Sequence, residues 1–389
     1  MSRKYINLQS LKAKAVVSVF LVFIIMLIGG HTKPPRDAWI KEVELARNRA
    51  TDWLTSNLQE DGFFVYSVNV RTGEQSTNDN TIRQLMASLA LAKISKEIKQ
   101  LQGLHQKNLN SIFRSWYQEE GDKAYVLRLG ESKLGANAML LRVLAASPFF
   151  QNYTKEAASL ANGLLHLQQA DGSLLPWYKE PEYKYDADYL LTFYSGEAIL
   201  ALVEYYEATT DDRWLAAAEK SAEYYIRKYI THLDENYYPA YVPWHTIAYN
   251  KLYKITGSSK YAQSIFIMND KLLELLDTKN YVGRFFNPFT PQYGTPHSSS
   301  DGVYTDGLAY AYEVARLTND TEHATRYRDA LKIAAANLIG LQYQNLLENS
   351  QIKPRQYLGA IATKHGSSWI RVDTTQHALD AFMKIVQVF

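Results

Sequence analysis

Glu197, Asp306 and Asp373 each stand beside aromatic or cationic neighbours. Tyr194 precedes Glu197 in TFYSGEAILALVEYY (192–206), Tyr304 precedes Asp306, and Arg371 precedes Asp373. Carboxylates gathered in one place can divide acid and base work, one giving a proton while the other stays ionised. Six further polar or aromatic residues recur at similar positions: Asn80, Arg83, Trp244, His245, Arg371 and His377. Arginine binds carboxylates through its two-pronged geometry, and His and Tyr move protons. Each residue also has a plainer use. Ser195 reads as an N-cap, which puts Glu197 in a first helical turn at the positive end of the dipole. Arg371 reads equally as the structural ion-pair partner of Asp373, and a His on a buried helix is commonly a satisfied core residue. Caps do not need Arg or His, however, so their recurrence argues for a shared site.

Other chemistries are excluded by what is missing. The 389 residues contain no cysteine, so no thiolate metal site, disulfide framework or cysteine nucleophile is available. No HExxH, GxGxxG, P-loop or GxSxG pattern occurs, and neither a metal nor a nucleotide cofactor is expected. Lys and Arg total 42 against 40 Asp and Glu, a balance that gives no electrostatic case for nucleic acid. Tyrosine is abundant at 29 residues, and flat rings suit the apolar faces of sugars as well as a core.

Helical patterns of two kinds must position these residues. One kind is amphipathic, as in 37–54, 153–169, 211–229, 258–276 and 321–342, with a weaker member at 105–118. The other is apolar around most of its circumference and starts near 80, 135, 196, 245, 306 and 374. A helix apolar on all sides is buried, while a one-sided helix lies outside. Alternation of the two gives six outer–inner pairs, and the expected fold is all-α, an (α/α)6 toroid over 37–389. LQEDGFFVY (58–66) and LQQADGSLLPWY (167–178) repeat one pattern of helix end, Asp-Gly turn and extended aromatic segment. Turns from inner to outer helix are short. The passages from outer to inner (59–79, 170–193, 277–303, 346–372) are long and must gather on one face, over the inner helix starts.

Ahead of this domain, Arg3, Lys4, Lys12 and Lys14 precede the apolar run 15–30, AVVSVFLVFIIMLIGG. The pattern reads as an uncleaved signal-anchor helix, with 1–14 cytoplasmic, 31–36 a linker and 31–389 extracytoplasmic.

Several stretches carry a resemblance: FFVYSVNVRTGEQSTNDNTIRQLMASLAL (63–91), YSGEAILALVEYYEATTDDRWLAAA (194–218), YVPWHTIAYNKLYKITGSSKYA (241–262) and WIRVDTTQHALDAF (369–382). The chain resembles the six-hairpin superfamily of carbohydrate-active enzymes, which includes inverting glycosidases, unsaturated glucuronyl hydrolases, acylglucosamine 2-epimerases and uronyl 5-epimerases. The closing Arg-x-Asp…His segment is similar to that of the uronyl 5-epimerases, with the His displaced by one residue. The resemblance implies a polysaccharide or oligosaccharide substrate. Glycosidic bond hydrolysis by Glu197 with Asp306 or Asp373 is the first expectation. Epimerisation or elimination at a uronic acid is the second, and a non-catalytic glycan-binding or polymer-export protein the third. Arg83, Asn80, Tyr194, Trp244, His245, Tyr304, Arg371 and His377 are the expected substrate-binding residues; for epimerisation or elimination Arg83 and Arg371 hold the sugar carboxylate, and His245, His377, Tyr194 and Tyr304 suit proton transfer.

Overall fold

The structure is a computed structural model that describes residues 37–183, 186–343 and 355–389. The expected cytoplasmic segment, anchor helix and linker (1–36) lie outside the described residues. No helix among the described residues is long and apolar enough to cross a membrane.

Twelve long helices alternate along the described chain. The outer members are α1 (Ala38–Ser56), α3 (Gln102–Trp116), α5 (Thr154–Leu167), α7 (Asp212–Tyr225), α9 (Ser259–Leu273) and α11 (Thr321–Gly340). The inner members are α2 (Thr81–Glu97), α4 (Leu134–Ala146), α6 (Ala187–Thr209), α8 (Tyr241–Thr256), α10 (Ser298–Leu317) and α12 (Val372–Val388). Burial separates the two kinds as expected. In α7 the buried residues Trp214, Ala217, Ala218, Ser221, Ala222 and Tyr225 form one stripe. In α4 every residue from Leu134 to Leu144 is buried.

The inner helices pack in sequence, α2 on α4, then α6, α8, α10 and α12, and α12 returns to α2. This ring belongs to the compact unit Glu42–Phe389. Its seam is sealed twice. Strand β1 (Ser67–Asn69), in the first long passage, pairs antiparallel with β6 (Trp369–Arg371), just before α12. Gln342 Nε2, after α11, donates to the carbonyl of Ala46 in α1 at 2.9 Å. Gly359 meets the same helix so closely that a Cβ there would lie 1.9 Å from the Arg49 carbonyl oxygen, and its φ of +91° is itself a glycine conformation.

The chain is not purely helical. Two further two-stranded sheets brace the passages, one of β2 (Tyr117–Glu120) with β3 (Lys123–Val126), the other of β4 (Ser132–Lys133) with β5 (Trp177–Lys179). The repeated Asp-Gly turns also recur in space. Leu58 bridges Phe64 after α1, and Gln168 bridges Leu174 after α5. Single bridges also follow α9 (Leu276 with Phe285) and α11 (Gln342 with Ile361), there closing longer segments without the Asp-Gly motif.

Two inner helices begin earlier than the sequence pattern indicates. α6 starts at Ala187, capped by Asp186, whose side chain accepts from Tyr189 N at 3.1 Å. Ser195 is therefore no cap; its Oγ donates back to the Leu191 carbonyl at 2.6 Å. Glu197 lies in the third turn, beyond the reach of the dipole's positive end. α10 likewise starts at Ser298 behind His297, which leaves Asp306 deep in that helix.

Candidate active site

At the amino ends of the inner helices lies a pocket of about 420 Å³. Its walls come from Asn80, Arg83 and Met86 of α2, from Lys133, and from Tyr189, Phe193, Tyr194 and Glu197 of α6. Trp244 of α8, Ser299, Ser300 and Tyr304 of α10, and Asp373 and His377 of α12 stand opposite, with Ile82, Leu190, Ala240 and Val303 filling the gaps. Eight of the eleven residues expected from sequence thus line one hollow. Tyr189, Phe193 and Glu197 are spaced four apart, one helical stripe down its side.

Glu197 is 1% exposed, and its Oε2 has no hydrogen-bond partner among the described residues. Burial pushes its carboxyl up to about 8, against only a weak opposing pull from the Arg142 guanidinium. The group is therefore protonated at neutral pH. Room for it depends on Gly135: a Cβ there would stand 2.4 Å from the Tyr194 ring and 2.6 Å from Glu197 Oε2.

Asp373 is equally buried, at 2% exposure, but has the opposite character. Arg371 grips it with both prongs, Nε to Oδ1 at 2.5 Å and Nη2 to Oδ2 at 2.8 Å. Arg83 Nε reaches Oδ2 at 3.0 Å. Burial works against ionisation, yet the Arg371 hydrogen bonds and the two positive charges outweigh it and hold the carboxyl below its ordinary value. Oδ1 keeps a lone pair free for another donor. Two guanidiniums against one carboxylate leave this side of the pocket with surplus positive charge. One turn on, burial pushes His377 down to about 4, so it is neutral; its ring makes no hydrogen bond among the described residues and packs 6.0 Å from the Trp244 ring.

The whole chain matches no protein-family model, and no curated protein matches it in sequence. Solved structures do match. A D-mannose isomerase superposes with a TM-score of 0.67 at 12% identity, covering 92% of this chain and 100% of that one. A GH76 α-mannanase from Bacteroides thetaiotaomicron gives 0.63 at 10% identity, over 88% and 95%. An unsaturated glucuronyl hydrolase from Streptococcus agalactiae gives 0.62 at 16% identity, over 89% and 92%. The fold is the six-hairpin (α/α)6 toroid. At these identities the likeness is one of architecture.

Three expected residues fall outside the toroid's pocket. His245 is completely buried, with Nδ1 2.9 Å from the Tyr241 carbonyl and Nε2 3.3 Å from Ser195 Oγ. Rings of Tyr225, Tyr229, Tyr241 and Tyr249 surround it at 5.4–5.9 Å between centroids. It is a core histidine. Arg371 does not line the pocket, because its guanidinium is spent on Asp373. Asp306 belongs instead to a second charged layer of the toroid axis, where Lys93 pairs with Asp380 (2.8 Å), Arg142 with Glu204 (2.7 Å) and Lys384 with Glu313 (2.9 Å). Asp306 has no hydrogen bond or ion pair there among the described residues. Burial and the charge of Asp380 push its carboxyl up. It therefore cannot be the partner of Glu197 in a shared pocket.

Lys133, Tyr189, Phe193, Ser299 and Ser300 were not expected. The four-residue spacing of Tyr189, Phe193 and Glu197 was the available signal, hidden because DADYLLTFYS reads as a loop when α6 is started too late.

Proposed function

We propose that the protein is a carbohydrate-active enzyme whose first activity is hydrolysis of a glycosidic bond in an oligosaccharide or polysaccharide. The observation that carries this reading is the opposed state of two carboxyls on one pocket, Glu197 protonated at neutral pH and Asp373 ionised. Glu197 gives its proton to the glycosidic oxygen as the bond from that oxygen to the anomeric carbon breaks. The remaining lone pair of Asp373 Oδ1 takes a proton from the water whose oxygen bonds to that carbon. Trp244 and Tyr304 supply flat walls for the ring. Glu197→Gln and Asp373→Asn in the full chain should each reduce turnover on the responsive glycan by about 10²–10⁴-fold, the range for loss of general acid–base catalysis. Wild-type turnover in both would overturn the assignment; hits come from a glycan array followed by product mass spectrometry.

A second reading is favoured by the surplus positive charge at Arg83 and by the neutral His377. These suit a uronic acid whose carboxylate docks on Arg83 while a proton is exchanged at the adjacent carbon, as in 5-epimerisation or elimination. Deuterium uptake from solvent without new reducing ends separates it from hydrolysis. The basic flank and apolar run of residues 1–30 support a membrane tether with the toroid outside. Retention of the N-terminal mass in membrane extracts tests it, and loss of about 3 kDa, roughly thirty residues, would refute it.

A further inference from the structure

The pocket does not end at its own rim. Ser300 and Tyr304 are shared with a second, smaller concavity lined by Phe285, Phe286 and Tyr293. Above this junction runs a line of rings from separate parts of the chain: Phe193 and Tyr189 of α6, Tyr238 ahead of α8, and Tyr293 in the passage to α10. Successive centroids are 5.4, 5.9 and 6.0 Å apart, with interplanar angles of 78°, 75° and 80°.

The angles decide what such a line can do. Stacked rings hide each other's faces, as Tyr229 and Tyr241 do in the core at 4.2 Å and 6°. Rings meeting edge to face leave faces uncovered. Tyr189 is 48% exposed, and Tyr238 and Tyr293 are half-buried, so this row is reachable from outside where the core tyrosines are not. Uncovered aromatic faces continuous with a pocket suit a ligand that is itself continuous, flat and apolar on one face. A chain of pyranose rings has that chemistry.

We propose that the row Tyr189–Tyr238–Tyr293 is a shelf that binds further sugar units of the same glycan whose reacting unit occupies the pocket. This rests on the carbohydrate reading above and deepens it: the substrate is a chain of several units, gripped beyond the bond that reacts. The test is binding, not turnover. Calorimetry on the full-length protein carrying Glu197→Gln uses two probe series, α-1,6-linked manno-oligosaccharides and glucuronate-containing oligosaccharides, from disaccharide to hexasaccharide. Affinity in the responsive series should rise with length. Tyr238→Ala and Tyr293→Ala should each weaken the hexasaccharide by about three- to tenfold, the effect of losing one aromatic contact, and leave the disaccharide unchanged. Tyr238→Phe and Tyr293→Phe, which keep the ring, should bind as the parent does. Affinity independent of length, equal losses for disaccharide and hexasaccharide, or no binding in either series would overturn the shelf. Length-dependent binding beside undiminished turnover in Glu197→Gln and Asp373→Asn would keep the shelf and discard the acid–base assignment.

Discussion

Replacing Glu197 by Gln should make the protein more stable, and increasingly so as pH rises. The carboxyl ionises at an ordinary value of 4.5 in the unfolded chain and at about 8 in the fold. Below the lower value both states hold the proton and the group contributes nothing to pH dependence. Between the two, the unfolded chain releases its proton while the fold retains it, so stability falls with rising pH. At about 1.4 kcal/mol per tenfold change in proton affinity, the loss is about 3.4 kcal/mol at pH 7 and levels off near 5 kcal/mol above pH 8. Gln has no proton to lose and escapes it. For the unit Glu42–Phe389, an unfolding entropy of about 2.1 cal/mol/K per residue converts these values to gains in Tm of about 5 °C and about 7 °C. Any steric or hydrogen-bonding difference between Gln and protonated Glu adds an offset that does not depend on pH. The quantity to measure is therefore the change in the Tm gap between about pH 4 and pH 8, by calorimetry on both proteins. A constant gap across that interval would refute the buried, protonated Glu197 and with it the proposed acid.

Three other substitutions probe the same architecture. Asp373→Asn removes the buried counterion of Arg371 and Arg83, whose partly exposed guanidiniums water can still reach; unfolding titrations should show a loss of about 1–3 kcal/mol. Gly135→Ala drives a methyl into the Tyr194 ring and Glu197, and should cost about 1–3 kcal/mol together with most glycan binding, read by calorimetry. Asp306→Asn should leave stability unchanged below about pH 4 and raise it as pH climbs, because burial and Asp380 lift the native carboxyl above its ordinary 3.8; a Tm–pH series checks the sign.

Periodicity made the ring legible, because outer stripes such as Trp214–Ala218–Tyr225 and all-round apolar runs such as Leu134–Leu144 report burial directly. Helix starts were less readable. SSSDGVYT looks like a loop because small polar residues are buried there through hydrogen bonds, Ser298 Oγ to the Ala362 carbonyl and Phe285 N to Asp301, and DADYLLTFYS does because its first residues are exposed, so neither shows the period of an amphipathic helix. Starting α6 and α10 more than two turns late misplaced Ser195 as a cap and Asp306 as a mouth residue. Glu197, Asp373, Arg83 and His377 were found because charged or ionisable groups on otherwise apolar helices are conspicuous. What distinguished them from His245 was surroundings contributed only in part by its own helix. Half of its tyrosine cage is local, Tyr241 and Tyr249 one turn to either side on α8; the other half, Tyr225 at the end of α7 and Tyr229 just beyond it, leaves no local trace.

The seam between β1 and β6 joins residues some three hundred positions apart, as in the Ser67 hydroxyl's bond to the Ile370 carbonyl. α12, which brings Asp373 and His377, is translated after every other helix of the ring. A nascent chain therefore carries Glu197 and Arg83 before Asp373 and His377 exist, and the pocket is whole only once α12 has emerged and the circle shuts. Termination anywhere before α12 leaves the ring open and the pocket without Asp373 and His377.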